Sequence, residues 1–390
     1  MGNLMIVHGG GPTAVINASL FGAVQEAKKH PEIKKIYGAA GGTGGLLKRR
    51  VIDLGDIAEE KLNRLLSTPG SAIGTSRDAL EKEDYAAMAV ILKELAIDCV
   101  LLNGGNGTMD TCGKLCDACA GTGIRVMGIP KTMDNDIAIT DHSPGFGSAA
   151  RFAAGSMAEL IADVRGLPIH LVVVEFSGRN AGWITAASAL AADSGLGGPD
   201  LIYLPERDFS QERFLTDAKQ LIQQKGFGVI AVSEGLHRAD GSSIVPPIFK
   251  VGRATYFGDV ASHLANLVIR ELGCKARGEK PGLLGRASIA WQSDVDRDEA
   301  VLAGTLAARA VIGGESGRMV GFKRLSTVPY AVEPILIDTH EVMLTEKKMP
   351  ENFINSAGNG VTKAFMDWCR PLIGAPLPAH THFAEYTQTI

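Results

Sequence analysis

The stretch GIPKTMDNDIAITDHSPGFGSAARF (residues 128–152) gathers chemistry into a small space. An apolar run ends at Pro130, and Lys131, Thr132, Asp134, Asn135 and Asp136 follow at once. A buried strand end rarely collects a cation and two carboxylates for structural reasons alone, although a purely structural loop is the plain alternative. Phosphoryl transfer uses such a set: a carboxylate takes the proton of an attacking hydroxyl, a divalent cation joins it, and positive charge meets the migrating oxygens.

Two glycine-rich turns supply what that chemistry needs next. The first, HGGGPTAVIN, follows the apolar run LMIV and precedes a helical pattern. It contains G-x-G-x-x-A (Gly9, Gly11, Ala14), the dinucleotide fingerprint, so an NAD enzyme is a rival reading. That reading needs an acid at the end of the second strand to hold the ribose, and IYGAAGGTGG offers none. The second turn, GGNGTMDTCGK, is not a P-loop, because the spacing is wrong and Leu115 follows the lysine where Ser or Thr must hold magnesium. A strand, a glycine turn and a helix start nonetheless leave N–H groups and a positive dipole end facing an anion. Cys112, Cys116 and Cys119 lie just beyond, with the C-x₃-C-x₂-C spacing of radical iron–sulfur enzymes. The same spacing puts three small thiols on one face of a helix, and packing against a sheet explains it without a metal.

The elements that must position these residues are legible as a rhythm. Apolar runs at 4–8, 34–39, 98–103, 125–130, 170–176, 200–205 and 228–234 read as parallel strands covered on both faces. Helical patterns lie between them; in 212–225, Phe214, Leu215, Ala218, Leu221 and Ile222 form one apolar face. This order predicts open α/β sheets, whose ligands sit beyond the carboxyl ends of the strands. A chain of 390 residues with 45% hydrophobic content can bury two ordinary domains. Six cysteines suit a reducing cytosol, a net charge of −4 gives no reason to expect nucleic acid, and no apolar run is long enough to span a membrane. A cytoplasmic protein is expected.

Several motifs together resemble the phosphofructokinase family: HGGGPTAVIN, GSAIGTSR (70–77), GGNGT, TMDND (132–136), FSGRNAGW, and the glutamate of VSEGLH, in family order from residue 4 to about 310. The resemblance implies two stacked Rossmann-like three-layer α/β/α domains with mostly parallel sheets and an active site between them. The expected division is residues 1–145, with about 255–312 returning, for the phosphate donor. Residues 146–254, with about 313–375, would bind fructose 6-phosphate, and 376–390 would form a tail. The implied catalytic set is Asp134 as base, with Asp136, Thr132, Lys131, Arg179 and Arg77. Gly11, Arg77, Gly105, Asn106, Gly107, Thr108 and Lys131 would meet the donor. Thr132, Asp134, Ser177, Gly178, Arg179, Glu234, Arg277 and Arg286 would hold the sugar phosphate. Mg2+ is the implied cofactor, with Asn106 its one candidate ligand where ATP-using members carry Asp. His170, Ser177 and Leu283 are further departures from the family pattern. A homodimer or homotetramer is expected, since the family often donates the arginine matching Arg277 from a neighbouring subunit.

The implied reaction makes fructose 1,6-bisphosphate from fructose 6-phosphate and ATP or pyrophosphate. Pyrophosphate users of the family carry Asp at the site of Gly107, so Gly107 speaks for ATP; Lys131 speaks for pyrophosphate, and so does the likeness of ITDHSPGFGSAARF to the pyrophosphate-using branch. The steric argument favours ATP. A different-class alternative is a non-catalytic relative that senses sugar phosphates.

Overall fold

The computed structural model describes residues 2–168, 170–251, 254–343 and 345–389. In chain order the strands begin with β1 Asn3–His8, β2 Ile36–Ala39, β3 Val51–Asp53, β4 Ile97–Gly104, β5 Arg125–Pro130, β6 Leu171–Phe176 and β7 Leu201–Tyr203. They continue with β8 Gly228–Ser233, β9 Pro247–Val251, β10 Ala254–Phe257, β11 Ala276–Glu279, β12 Arg318–Thr327 and β13 Tyr330–Asp338. All seven apolar runs expected as strands are strands: β1, β2 and β4 to β8.

Two compact units divide the chain: Met1–Ser148 with Arg286–Lys347, and Ala149–Gly285 with Lys348–Ile390. The returning segments differ from those expected. Residues 255–285 stay in the second unit because β11 pairs with β6 and the helix Val260–Leu272 packs into the same core. Residues 313–347 join the first because β12 pairs with β5 and then with β13.

The first unit is built on a sheet of order β13-β12-β5-β4-β1-β2-β3, parallel from β2 to β12, with antiparallel strands at both edges. Alternation along each central strand fills two cores. Leu4, Ile6, Leu101 and Met127 pack with the helices Ile16–Ala27 and Asp294–Ile312 on one face. Met5, Val7, Val100, Leu102 and Val126 pack with the helices Lys82–Glu94 and Asn106–Ala118 on the other. The result is three layers, as the continuous apolar runs predict. From β1 the chain steps one way to β2, while β4 lies on the other side. The loops after β1 and β4 therefore open a crevice at the switch point, where such sheets take ligands.

The second unit has a parallel sheet of order β11-β6-β8-β7 and the hairpin β9–β10. Its helix Gln211–Lys225 shows how local sequence sets an element. Ser210 caps the start by accepting from the Arg213 N–H, Gly226 ends it with φ 77°, and Phe214, Ala218 and Leu221 face the core. Here β6 is the switch strand, with β8 on one side and β11 on the other. No helix among the described residues is long and apolar enough to cross a membrane.

Candidate active site

The crevice of the first unit is a cavity of about 440 Å³. Gly11, Arg77, Gly105, Asn106, Gly107, Thr108, Lys131, Thr132, Asp134, Asp136 and Arg286 all line it. Each reaches it for a local reason. After β1 the chain turns sharply, with Gly10 at φ 75°, and the Gly10 N–H donates to the Ser76 carbonyl at 2.9 Å. Thr75 Oγ1 returns a bond to the Gly10 carbonyl at 2.7 Å, so the glycine turn and the Arg77 loop are fastened together. After β4 the helix Asn106–Ala118 begins within the cavity wall, bringing its positive end to the ligand space. A methyl group built on Gly107 would meet no atom within 4 Å, so the space above it is open.

After β5 comes the loop that carries Lys131, Thr132, Asp134 and Asp136. Lys131 is 4% exposed, and its ammonium donates to the Gly11 carbonyl. Burial pulls its pKa down to about 8, against the attraction of Asp134 and with the repulsion of Arg77 and Arg286. Thr132 acts as a small clamp: its hydroxyl donates to Asp136 Oδ1 at 3.0 Å and accepts the Asp134 N–H at 3.1 Å. Asn106 Nδ2 donates to the Asp136 carbonyl at 3.2 Å. His8 is buried at the cavity wall and held neutral, its pKa lowered to about 3 by burial and by Lys131.

The remaining expected residues belong to the second unit. Ser177, Gly178 and Arg179 follow β6, Glu234 follows β8, and Arg277 is exposed on β11. Gly178 has φ 132°, and a Cβ there would lie 2.4 Å from the Ala181 carbonyl oxygen, so this turn requires glycine. Its N–H donates to Glu234 Oε1 at 3.2 Å, and Ser233 Oγ donates to its carbonyl at 2.5 Å. The far end of the loop is set by Trp183, which packs against Phe353, Phe365 and Trp368. Arg179 and Glu234 are left exposed. Arg286, expected on the sugar 6-phosphate, lies in the first unit beside Gly11.

Cys112 and Cys119 are buried in the core between the sheet and the helices Lys82–Glu94 and Asn106–Ala118, as packing without a metal requires. Glu206 was not foreseen from the sequence. Its Oε1 accepts the Gly182 and Met349 N–H groups at 2.9 and 3.4 Å, bracing the Arg179 loop, and burial raises its pKa. An acid in LPERDF carries no motif that would have flagged it.

Glycine turns, a buried lysine, two arginines and a hydroxyl-clamped pair of aspartates share one cavity, a set of groups that phosphoryl transfer uses. A model of the phosphofructokinase family matches residues 3–311. The pyrophosphate–fructose 6-phosphate 1-phosphotransferase of Rhodospirillum rubrum is 36% identical, over 97% of this chain and 95% of its own length. The ATP-dependent 6-phosphofructokinase 3 of Bacteroides thetaiotaomicron is 29% identical, over 88% of this chain and 97% of its own. The crystal structure of a pyrophosphate-dependent phosphofructokinase from Marinobacter aquaeolei superposes with a TM-score of 0.87 at 32% identity, covering 97% of this chain and 95% of that one. The chain belongs to the phosphofructokinase family.

Proposed function

We propose that the chain transfers the terminal phosphoryl group of ATP to the 1-hydroxyl of fructose 6-phosphate, giving fructose 1,6-bisphosphate and ADP. The observation that carries this reading is the convergence of Asp134, Lys131, Arg77 and the glycine turns on one cavity. Asp134 accepts the proton of the sugar hydroxyl as that oxygen bonds to the γ-phosphorus. The bond from phosphorus to the bridging oxygen breaks, and the electron pair leaves with ADP. Lys131 and Arg77 oppose the charge that gathers on the transferring oxygens, and Arg179 is assigned the same work. Gly11, Gly105, Gly107 and Thr108 cradle the donor phosphates. Gly178, Glu234 and Arg277 hold the sugar phosphate, Glu234 by accepting its hydroxyls. Arg286 is assigned to the 6-phosphate.

The donor set suits magnesium. Asn106 Oδ1 is buried and has no hydrogen-bond partner among the described residues, and Asp136 lies beside it. Magnesium is held by one or two protein oxygens plus substrate phosphates, so the absence of a three-ligand cluster among the described residues is no obstacle. When bound, the ion neutralises donor phosphate charge. Arg277, exposed on an edge strand, supports assembly as a homodimer or homotetramer in which a neighbour uses it.

Pyrophosphate is the second reading, favoured by Lys131 and by the relatives named for it. We put ATP first on the argument that the open space above Gly107 leaves room for its α-phosphate. A coupled assay with fructose 6-phosphate, Mg2+ and each donor in turn decides between them. Turnover with neither, or an Asp134→Asn variant at full speed, overturns the catalytic reading.

A further inference from the structure

Asp134 and Asp136 stand on either side of Asn135, and Asn135 has φ 54°. That left-handed backbone is uncommon for a residue with a side chain, and asparagine is among those that tolerate it best. Ile139, in the same loop, has φ 69°. Asn135 is wholly buried, and its Nδ2 has no hydrogen-bond partner among the described residues. Its Oδ1 accepts a bond from Lys347 Nζ at 3.2 Å.

The same ammonium donates to the Thr140 carbonyl at 3.0 Å and the Asp141 carbonyl at 2.8 Å. The Lys347 N–H donates to the Asp136 carbonyl at 2.8 Å, and Ile137 pairs with Glu346 in an antiparallel bridge. One side chain, 212 residues away along the sequence, thus gathers both ends of the turn that carries the carboxylates. Lys347 is half-buried, and desolvation at its ammonium lowers its pKa to about 7 despite the attraction of Asp141 and Asp136. Desolvating a cation is costly unless several acceptors repay it, and here three carbonyl-type oxygens converge on it.

We propose that Lys347 is a positioning residue for phosphoryl transfer: its ammonium ties Asn135 to the Thr140 and Asp141 backbone and so holds the turn that aims Asp134 and Asp136 into the donor cavity. It touches neither substrate and makes or breaks no bond. The proposal rests on the reading of Asp134 as the base. A misplacement of a reacting group by about 1 Å can cost about 100-fold in rate, which sets the scale of the effect.

The test uses the full chain and whichever donor supports wild-type turnover. Lys347→Met keeps the length and loses the ammonium. The expected result is a kcat lower by about 30- to 100-fold, with KM for both substrates within about threefold of wild type. Asn135→Gly removes the acceptor without adding backbone strain and lowers kcat by at least about tenfold. Asn135→Asp keeps an acceptor oxygen and a tolerated left-handed backbone, and retains kcat within about threefold. The double variant Lys347→Met, Asn135→Gly is no slower than the slower single variant, because both cut one tether.

Amide hydrogen exchange over residues 135–141 is faster in Lys347→Met than in wild type, whether or not turnover is observed. A wild type inactive with every donor, but with that exchange change, refutes the catalytic reading and leaves the tether standing. Unchanged exchange, a kcat within threefold of wild type, multiplied losses in the double variant, or a selective rise in donor KM overturns the positioning role. Should Lys347→Met fail to fold, the contrast between Asn135→Gly and Asn135→Asp decides: equal kcat values for the two refute it.

Discussion

Gly107→Asp tests the donor reading with little risk to the fold. Residue 107 is the second residue of the helix Asn106–Ala118, and a Cβ there meets nothing within 4 Å. Its φ is not left-handed, so a side chain adds no backbone strain. An aspartate in the first turn of a helix is favoured by the dipole, by about 0.3–1 kcal/mol, so stability is held or slightly raised. The carboxylate would instead occupy the open space assigned to the α-phosphate of ATP. Two unit charges about 4 Å apart, at an effective dielectric of about 20, repel by about 4 kcal/mol, or roughly a thousandfold in kcat/KM. The assay is coupled detection of fructose 1,6-bisphosphate, with ATP and with pyrophosphate, for both proteins. The expected outcome is a loss of about a thousandfold with ATP and an unchanged melting temperature. An ATP kcat/KM within tenfold of wild type would show that residue 107 does not face the α-phosphate.

Three further outcomes follow from the same geometry. Lys131 has a lowered pKa of about 8, so its ammonium is present below that pH and lost above it; kcat/KM for the donor falls as pH rises through about 8, and Lys131→Met abolishes that limb of the profile. His142 sits between Asp141 and Glu299, at 2.9 and 2.6 Å; burial opposes its charge, but the two carboxylates prevail and raise its pKa to about 9. The stabilisation is therefore complete below about 6.5 and lost as pH climbs through about 9; urea midpoints measured across that window should decline in the wild type and stay flat in His142→Gln. Gly178→Ala drives a methyl against the Ala181 carbonyl in a left-handed turn, and should raise KM for the sugar phosphate at least about tenfold while KM for the donor holds; equal effects on both substrates would count against a sugar-binding role for that turn.

Parallel strands were legible because both of their faces are covered: β6 and β8 are buried at every position and so read as unbroken apolar runs. The hairpin β12–β13 escaped notice for the opposite reason. β13 is largely half-exposed and mixes Glu333 and Pro334 with apolar residues, so neither an apolar run nor a clean alternation marks it. Missing that hairpin also misplaced the return of the chain to the first unit, since β12 is what carries residues 313–347 back to β5. The loop 131–136 was legible as a candidate site because its lysine and two aspartates are adjacent in sequence. Lys347 and Glu206 were not, because a lysine in EKKMP and an acid in LPERDF look like ordinary surface charges. Only the fold shows that the one reaches Asn135 and the other Gly182. Arg286 was singled out by the family resemblance, but nothing in LLGRAS shows that it stands beside Gly11.

The first unit is assembled from two stretches of chain, and the later one supplies much of its frame. Asp296 fixes the Gly145 and Ser148 N–H groups, Glu299 holds His142, and Lys347 completes the set. A nascent polypeptide that has emerged only to Ser148 already carries Asp134 and Asp136, yet none of these three anchors. The hydrogen-bonded frame of this loop is therefore completed late in synthesis, and fragments released before residue 286 hold Asp134 and Asp136 without the contacts that fix their surroundings.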